Sequence, residues 1–254
     1  MAHMAASVLV TGVSRRAGIA SNVAQRLHLE GWEVTATGWP PHDLEQKWGA
    51  DPAAPSCGGI HWEAADLADP EVPDRLVADH AARHGGLDAL VAIHARSSSG
   101  GIGELTAKEL DLSFAVNARA TLLLVQAAAR ARVRRVVVFT TGVHREPMPS
   151  EIAYAVSKAA LQGITRTLAA ALAPRGVTVN CINPGPVDTG YASSEARLSV
   201  AEQMPMRRWG VPSDIAPLVS WLLSDTAAWV TGQTLDVDGG WSLRSAVGVG
   251  AKDD

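Results

Sequence analysis

The chain has 254 residues, of which 47% are hydrophobic and 19% charged, and a formal net charge of -4. That is enough apolar material to form a core without disulfide or metal staples, too little charge for disorder, and no basic surplus for nucleic acid. No apolar stretch approaches the roughly 18 residues of a membrane span, the start lacks a secretory pattern, and two distant cysteines, Cys57 and Cys181, exclude a disulfide framework and point to a reducing cytoplasm.

In chain order, short β-rich runs alternate with longer helical patterns, and no repeat or linker divides them, so one domain over residues 1–254 is expected. Met1-Ala-His-Met4 reads as a cloning remnant, residues 1–5 as a loose start and residues 242–254 as a tail. Strands are predicted at Ser7–Thr11, Glu33–Gly38, Gly59–Glu63, Leu87–Ile93, Arg135–Thr140, Gly176–Ile182 and Gln233–Val237. Helices are predicted at Ile19–Glu30, Pro70–His84, Thr106–Arg132, Ile152–Ala173 and Ser213–Ser224. Asp69-Pro70 and Ser213-Asp214 offer N-terminal capping groups, and Gly31 and Gly176 offer stops. Val136-Val-Val-Phe139 is apolar throughout, as a strand is when helices cover both faces. The expected fold is α/β: a doubly wound, parallel, seven-stranded sheet with helices on both faces and a ligand beyond the strands' carboxyl ends.

The first strand runs into Thr11-Gly-Val-Ser-Arg-Arg-Ala-Gly-Ile-Ala20. Gly12 permits a sharp turn, Gly18 lets backbone N–H groups approach a pyrophosphate, and the helix opening there favours its charge. A plain turn is the competing explanation. A second signal is Tyr154-Ala-Val-Ser-Lys158 inside a predicted helix. At i and i+4 the two side chains share a face, and a nearby ammonium stabilises phenolate, so the phenol can exchange a proton with a carbonyl or alcohol. An isolated pair of this kind is usually surface decoration. The eight histidines form no HxxxH, HExxH or Cys/His grouping, so no metal site is expected.

Further segments fall in order around this pair: Asp66-Leu67 after the third strand, Asn117 in the long helix, Thr140-Thr-Gly142 after the fifth strand and Asn183-Pro-Gly-Pro-Val-Asp-Thr189 after the sixth. Near the end come Gly210-Val-Pro-Ser-Asp-Ile-Ala216 and Thr231-Gly-Gln-Thr-Leu-Asp-Val-Asp-Gly-Gly240. With these motifs the sequence resembles the short-chain dehydrogenase/reductase family, of the 3-oxoacyl-carrier-protein reductase type, from about Ala6 to Trp241.

The resemblance implies a Rossmann-type fold and hydride transfer between a nicotinamide cofactor and a ketone or secondary alcohol. By position it makes Tyr154 the proton donor or acceptor and has Lys158 hold the nicotinamide ribose. It places Thr141 where the family has the serine that orients the substrate oxygen, and makes Asn117 the anchor of a water in the proton relay. Cofactor contacts would come from Gly12, Ser14, Arg15, Arg16, Gly18 and Ile19 in the glycine turn and from Trp39 after the second strand. Asp66 and Leu67 would flank the adenine, and Pro184, Gly185, Val187 and Thr189 the nicotinamide. It also implies a homotetramer or dimer, with a small carbonyl or alcohol as the substrate.

The departures matter too. Threonine at the serine position adds a methyl, and Thr140 would serve if the register slipped by one. The glycine turn is two residues longer than usual, as in the enoyl-reductase branch, whose Tyr and Lys are separated by six residues rather than the three found here. The usual Asn-Asn-Ala-Gly after the fourth strand is Ala92-Ile-His-Ala95. A non-redox protein on the same scaffold is the alternative from another class.

Two features bear on cofactor and substrate. No acid closes the second strand before Asp43, while Arg15 and Arg16 stand in the glycine turn, which favours NADP(H) over NAD(H). Trp39 covers the adenine or packs at the strand end. His94 and His144 follow the fourth and fifth strands and face either the substrate or the backbone of their own loops. Tyr191 and Trp209 belong to a mixed aromatic and polar stretch expected to cover the pocket.

Overall fold

Strand positions are set by runs that bury both faces. Ser7-Val-Leu-Val-Thr11 and Arg135-Val-Val-Val-Phe139 have no exposed residue, which suits central strands under two helical layers. In the computed structural model, which describes residues 5–45, 59–190 and 193–244, the strands are β1 (Ser7–Thr11), β2 (Glu33–Gly38), β3 (His61–Ala64), β4 (Ala89–Ala92), β5 (Arg135–Phe139), β6 (Thr178–Asn183) and β7 (Thr234–Asp236). All pair in parallel, in the order β3-β2-β1-β4-β5-β6-β7. The doubly wound Rossmann-type sheet expected from the sequence is therefore the fold.

The helices are α1 (Ile19–Leu29), α2 (Pro40–Glu45), α3 (Val72–His84), α4 (Ala107–Ser113), α5 (Ala120–Arg130), α6 (Ile152–Leu172), α7 (Ser194–Gln203) and α8 (Pro212–Leu223). Alternate residues of each strand feed opposite cores. Leu9, Leu90, Val136 and Val138 join Leu76 and Leu124 beneath α3 and α5, while Val8, Val10, Val91 and Val137 join Leu27 and Val219 beneath α1 and α8. The strand order reverses direction between β1 and β4, so the crevice beyond their carboxyl ends is the natural ligand position.

Several boundaries differ from the sequence reading. The strands expected at Gly59–Glu63, Leu87–Ile93, Gly176–Ile182 and Gln233–Val237 are shifted or shorter, because pairing with a neighbour rather than β-rich composition decides where a ladder stops. The helix expected from Pro70 begins at Val72, and Asp69 instead accepts the Glu71 N–H at 2.9 Å. The capping carboxylate of α8 is that of Asp214 in its first turn, which accepts the Val211 N–H at 2.8 Å. Helices α2 and α7 were not foreseen. The first is six residues opened by two prolines, and the second gathers no apolar face, so neither carries a periodic signal.

The helix expected over Thr106–Arg132 is continuous but not uniform. Thr106 caps it by accepting the Glu109 N–H at 3.1 Å, and a π turn over Phe114–Arg119 interrupts it. Such inserted turns are common at functional sites. Over this run, Ala107–Arg130, the mean hydropathy reaches 1.3 in an 18-residue window, a composition that could cross a bilayer; 56% of that window is buried in the fold, as in a core helix.

Candidate active site

A cavity opens at the switch point. A cleft of about 370 Å³ is lined by the glycine turn (Gly12, Ser14, Arg15, Gly18, Ile19), the β2 end and α2 (Thr37–Trp39, His42, Asp43, Glu45), Ala65–Ala68, Ile93–Arg96, Leu112, Val116 and Thr189. The turn is pinned from its neighbours. Val13 N–H donates to the Thr37 carbonyl at 2.8 Å, the Trp62 indole N–H to the Val13 carbonyl at 2.8 Å, and Trp39 N–H to the Ser14 hydroxyl at 2.9 Å.

Gly12 is required there. Its φ is +89°, and a Cβ would lie 2.6 Å from the His94 backbone nitrogen. Gly12→Ala is expected to cost on the order of 2 kcal/mol of stability and to weaken nicotinamide-dinucleotide binding, read from the denaturation midpoint and from nicotinamide fluorescence. Binding and midpoint both equal to the parent's would show that the turn tolerates a side chain. Gly38 allows a second close approach, since a Cβ would meet the Val13 carbonyl oxygen at 2.4 Å.

The residues around this cleft suit a dinucleotide. The Thr37 hydroxyl and the Arg15 Nε are buried with no hydrogen-bond partner among the described residues, and both belong to cleft-lining residues. The first turn of α1 has no side-chain cap, leaving its backbone N–H groups for an anion. Asp66 is half engaged, its Oδ1 accepting the Ala68 N–H at 2.9 Å. Arg15 crosses toward the segment after β6, where a Cβ on Gly190 would sit 3.7 Å from its Nη2. Arg16 is exposed and is not among the residues lining the cleft. Asp43, discounted in the sequence for lying five residues past the strand, is brought into the cleft by α2 and buried there.

Beyond the cleft, Lys158 lies one turn after the half-buried Tyr154 on α6. Its Nζ is buried and donates to the carbonyls of His94 and Phe139, both at 3.1 Å, at the ends of β4 and β5. Burial lowers its pKa to about 8. The two threonines at the end of β5 have different surroundings. Thr140 is buried and its hydroxyl donates to the Lys158 carbonyl at 2.9 Å, which anchors α6. Thr141 is the half-buried hydroxyl of the pair and points toward Met148, with its Oγ1 3.5 Å from the sulfur.

Asn117 sits fully buried in the π turn. Its Oδ1 accepts the Arg96 N–H at 2.7 Å, and its Nδ2 donates to the Arg96 carbonyl at 3.0 Å and the Ser157 hydroxyl at 2.9 Å. Its own carbonyl accepts the Thr121 hydroxyl at 2.8 Å.

Not every expected residue lies at this centre. His94 lines the cleft, but its ring is buried and bonded on both sides, Nδ1 to Thr11 Oγ1 at 2.6 Å and Nε2 to the Val116 carbonyl at 3.0 Å. His144 is also redirected. The 3₁₀ turn after β5 aims it at β7, where Nε2 lies 3.2 Å from Asp236 Oδ1. Arg145 Nη2 lies 2.8 Å from the same carboxylate, and Asn183 Nδ2 donates to it at 2.8 Å. Of the segment after β6, Thr189 reaches the cleft and Val187 is buried in the core, bridging Gly210. Pro184 lies between β6 and Gly185, which backs closely onto Asp238. Tyr191 lies outside the described residues; Trp209 is half-buried.

The sequence reading missed His42, whose Nε2 accepts the Ser97 N–H at 3.2 Å, and Arg96, which lines the cleft and pairs with Glu109 on α4. Neither belongs to a motif; only the tertiary path of α2 and α4 brings them in. Among the described residues, no group of His, Cys, Asp and Glu is arranged to hold a metal.

Comparison with known proteins agrees with this arrangement. A family model described as enoyl-(acyl carrier protein) reductase matches residues 12–242. The chain is 33% identical over 242 residues to an uncharacterized oxidoreductase, YjdA, of Bacillus subtilis, covering 92% of this chain and 95% of that one. It is 32% identical to human dehydrogenase/reductase SDR family member 4, covering 89% and 84%. Among solved structures, a short-chain dehydrogenase/reductase from Serratia marcescens superposes with a TM-score of 0.82 at 32% identity, covering 93% and 98%. With a parallel seven-stranded sheet, a glycine turn at its switch point and these relatives over most of its length, the chain belongs to the short-chain dehydrogenase/reductase family.

Proposed function

We propose that the protein reduces a ketone, or oxidises the matching secondary alcohol, with NADP(H) as the preferred carrier. The observation that carries this reading is the buried Lys158 ammonium, fixed by two carbonyls at the carboxyl ends of β4 and β5 one turn from Tyr154. Bound in the cleft, a nicotinamide dinucleotide supplies the hydride donor or acceptor. The chain's own residues do the rest. Tyr154 gives a proton to the substrate oxygen in reduction and takes it back in oxidation. Lys158 has three N–H donors, two of them engaged by carbonyls, and its positive charge favours the phenolate. Thr141 offers a hydroxyl to orient the oxygen, and Asn117 ties α6 to the β4 loop through Ser157 and Arg96.

Arg15 in the cleft supports the 2′-phosphate form, while the buried Asp43 in the same cleft favours a ribose diol and so NAD(H). Titration with NADPH and NADH, followed by nicotinamide fluorescence, is expected to show tighter binding of NADPH. A preference for NADH would leave the reductase reading standing and remove the role given to Arg15. Binding of neither would favour a non-redox scaffold.

One observation favours a second reading. The matching family model is described as an enoyl-(acyl carrier protein) reductase, and the glycine turn is of that length. The three-residue gap between Tyr154 and Lys158 argues for the ketone instead. Turnover of a ketone panel against an enone panel separates them.

A further inference from the structure

The four residues Ala92-Ile-His-Ala95 leave the end of β4 without an asparagine, and His94 supplies the polar group there. Its surroundings admit one protonation pattern. The Val116 carbonyl can only accept, so Nε2 carries the hydrogen, 3.0 Å away. Nδ1 is then a lone pair and accepts from the Thr11 hydroxyl at 2.6 Å. Thr121 Oγ1, 3.2 Å from Nε2, donates its own hydrogen to the Asn117 carbonyl and so presents only lone pairs to the ring. Burial and the neighbouring Lys158 cation both oppose a charged imidazole, and its pKa is lowered to about 3.

The ring therefore bridges three elements: the end of β1 through Thr11, the end of β4 through its own backbone, and the π turn through Val116. The backbone of the same residue lies against Gly12 on one side, where a Cβ would come within 2.6 Å. On the other, its carbonyl accepts the Lys158 ammonium at 3.1 Å. A single residue thus joins the glycine turn to the helix that carries Tyr154 and Lys158.

We propose that His94 is a positioning residue for Lys158, its neutral ring clamped between Thr11 and Val116 so that its carbonyl holds the ammonium in register with Tyr154. The role rests on reading Tyr154 and Lys158 as the reacting pair. Among the described residues, Cys181 on β6 acts electrostatically on Lys158, and Tyr154 lies one turn before it on the same helix. Neither is altered by a change at His94 or Thr11.

The test compares Thr11→Val, which removes only the hydroxyl donor to Nδ1, and His94→Leu, which removes both ring contacts. Lys158 is titrated by the ¹³C chemical shift of its Cε in the protein without cofactor, and folding is checked by denaturation. Loosening the carbonyl weakens the ammonium's acceptor, so the Lys158 midpoint is expected to fall by about half a pH unit or more in both variants. In ketone reduction, kcat is expected to fall about tenfold with KM unchanged. Folded variants whose Lys158 midpoint equals that of the parent would overturn the proposal. If His94→Leu does not fold, Thr11→Val decides alone. A midpoint that moves in a protein showing no ketone turnover would uphold the positioning role while overturning the reductase reading.

Discussion

Tyr154→Phe is expected to lower the kcat for ketone reduction about 10³-fold while changing nicotinamide-dinucleotide affinity by less than about threefold. The substitution keeps the aromatic ring and its packing in the half-buried first part of α6 and removes only the hydroxyl. General acid–base participation contributes about 10²–10⁴-fold in such reactions, and no other acid on α6 lies within one turn to replace the phenol except Glu151, at the helix start. The cleft proposed to hold the cofactor is lined by the glycine turn, the β2 end and the segments after β3 and β6, and Tyr154 is not among its lining residues. Stopped-flow hydride transfer and fluorescence titration on the same preparation separate the two quantities. A Phe variant that retains near-parental turnover would remove Tyr154 from the chemistry. Equal loss of binding and turnover would point to a collapsed site instead.

A second large effect is acid lability through two buried histidines. His80 is buried on α3, and neither ring nitrogen has a hydrogen-bond partner among the described residues; burial, and then His84 and Arg83, lower its pKa to about 4. His94 is lowered to about 3 by burial and by Lys158. In the unfolded chain both titrate near 6.5. Above that pH both states are neutral and no proton is exchanged on unfolding. Below it the unfolded chain takes up protons that the fold refuses, so stability falls with pH through the window from about 6.5 to 4 for His80, and to about 3 for His94.

At pH 4.5 the two together amount to roughly 5 kcal/mol, at about 1.4 kcal/mol per unit per site. That is comparable with the whole stability of many domains. His42 and His84, both lowered mainly by burial, act in the same direction, and Glu151, raised by burial, acts in the opposite one. Urea midpoints measured from pH 7 to 4.5 are expected to fall steeply at constant m-value. His80→Leu is expected to flatten that slope by about half. A flat profile in the parent protein would show that neither histidine is held neutral by the fold.

How much of this was visible in the residues alone varies by element. The strands of the sheet's centre could be read directly, because a strand buried on both faces must be apolar without interruption, as in Ser7–Thr11 and Arg135–Phe139. The glycine turn, Tyr154 and Lys158 were legible for a related reason: a sharp turn and an i,i+4 pair are local geometries that short sequences specify. Short or weakly patterned pieces such as α2 and α7 were not, since six residues or a scattered apolar pattern leave no periodicity to read.

The sequence by itself determined the order of the strands and most of the helices and placed the glycine turn and the Tyr154–Lys158 pair among them. Its two candidate substrate histidines were decided only by tertiary structure. His94 and His144 both follow strands and look alike in sequence, yet one became a buried bracket between Thr11 and Val116 and the other lies 3.2 Å from the Asp236 carboxylate. The different partners of the Thr140 and Thr141 hydroxyls and the arrival of Asp43 in the cleft depend on tertiary structure in the same way. Local patterning fixes which residues form an element. Which polar side chain is turned inward depends on partners more than twenty residues away, such as Val116 for His94 and Asp236 for His144, and these meet only when the sheet closes over its helices.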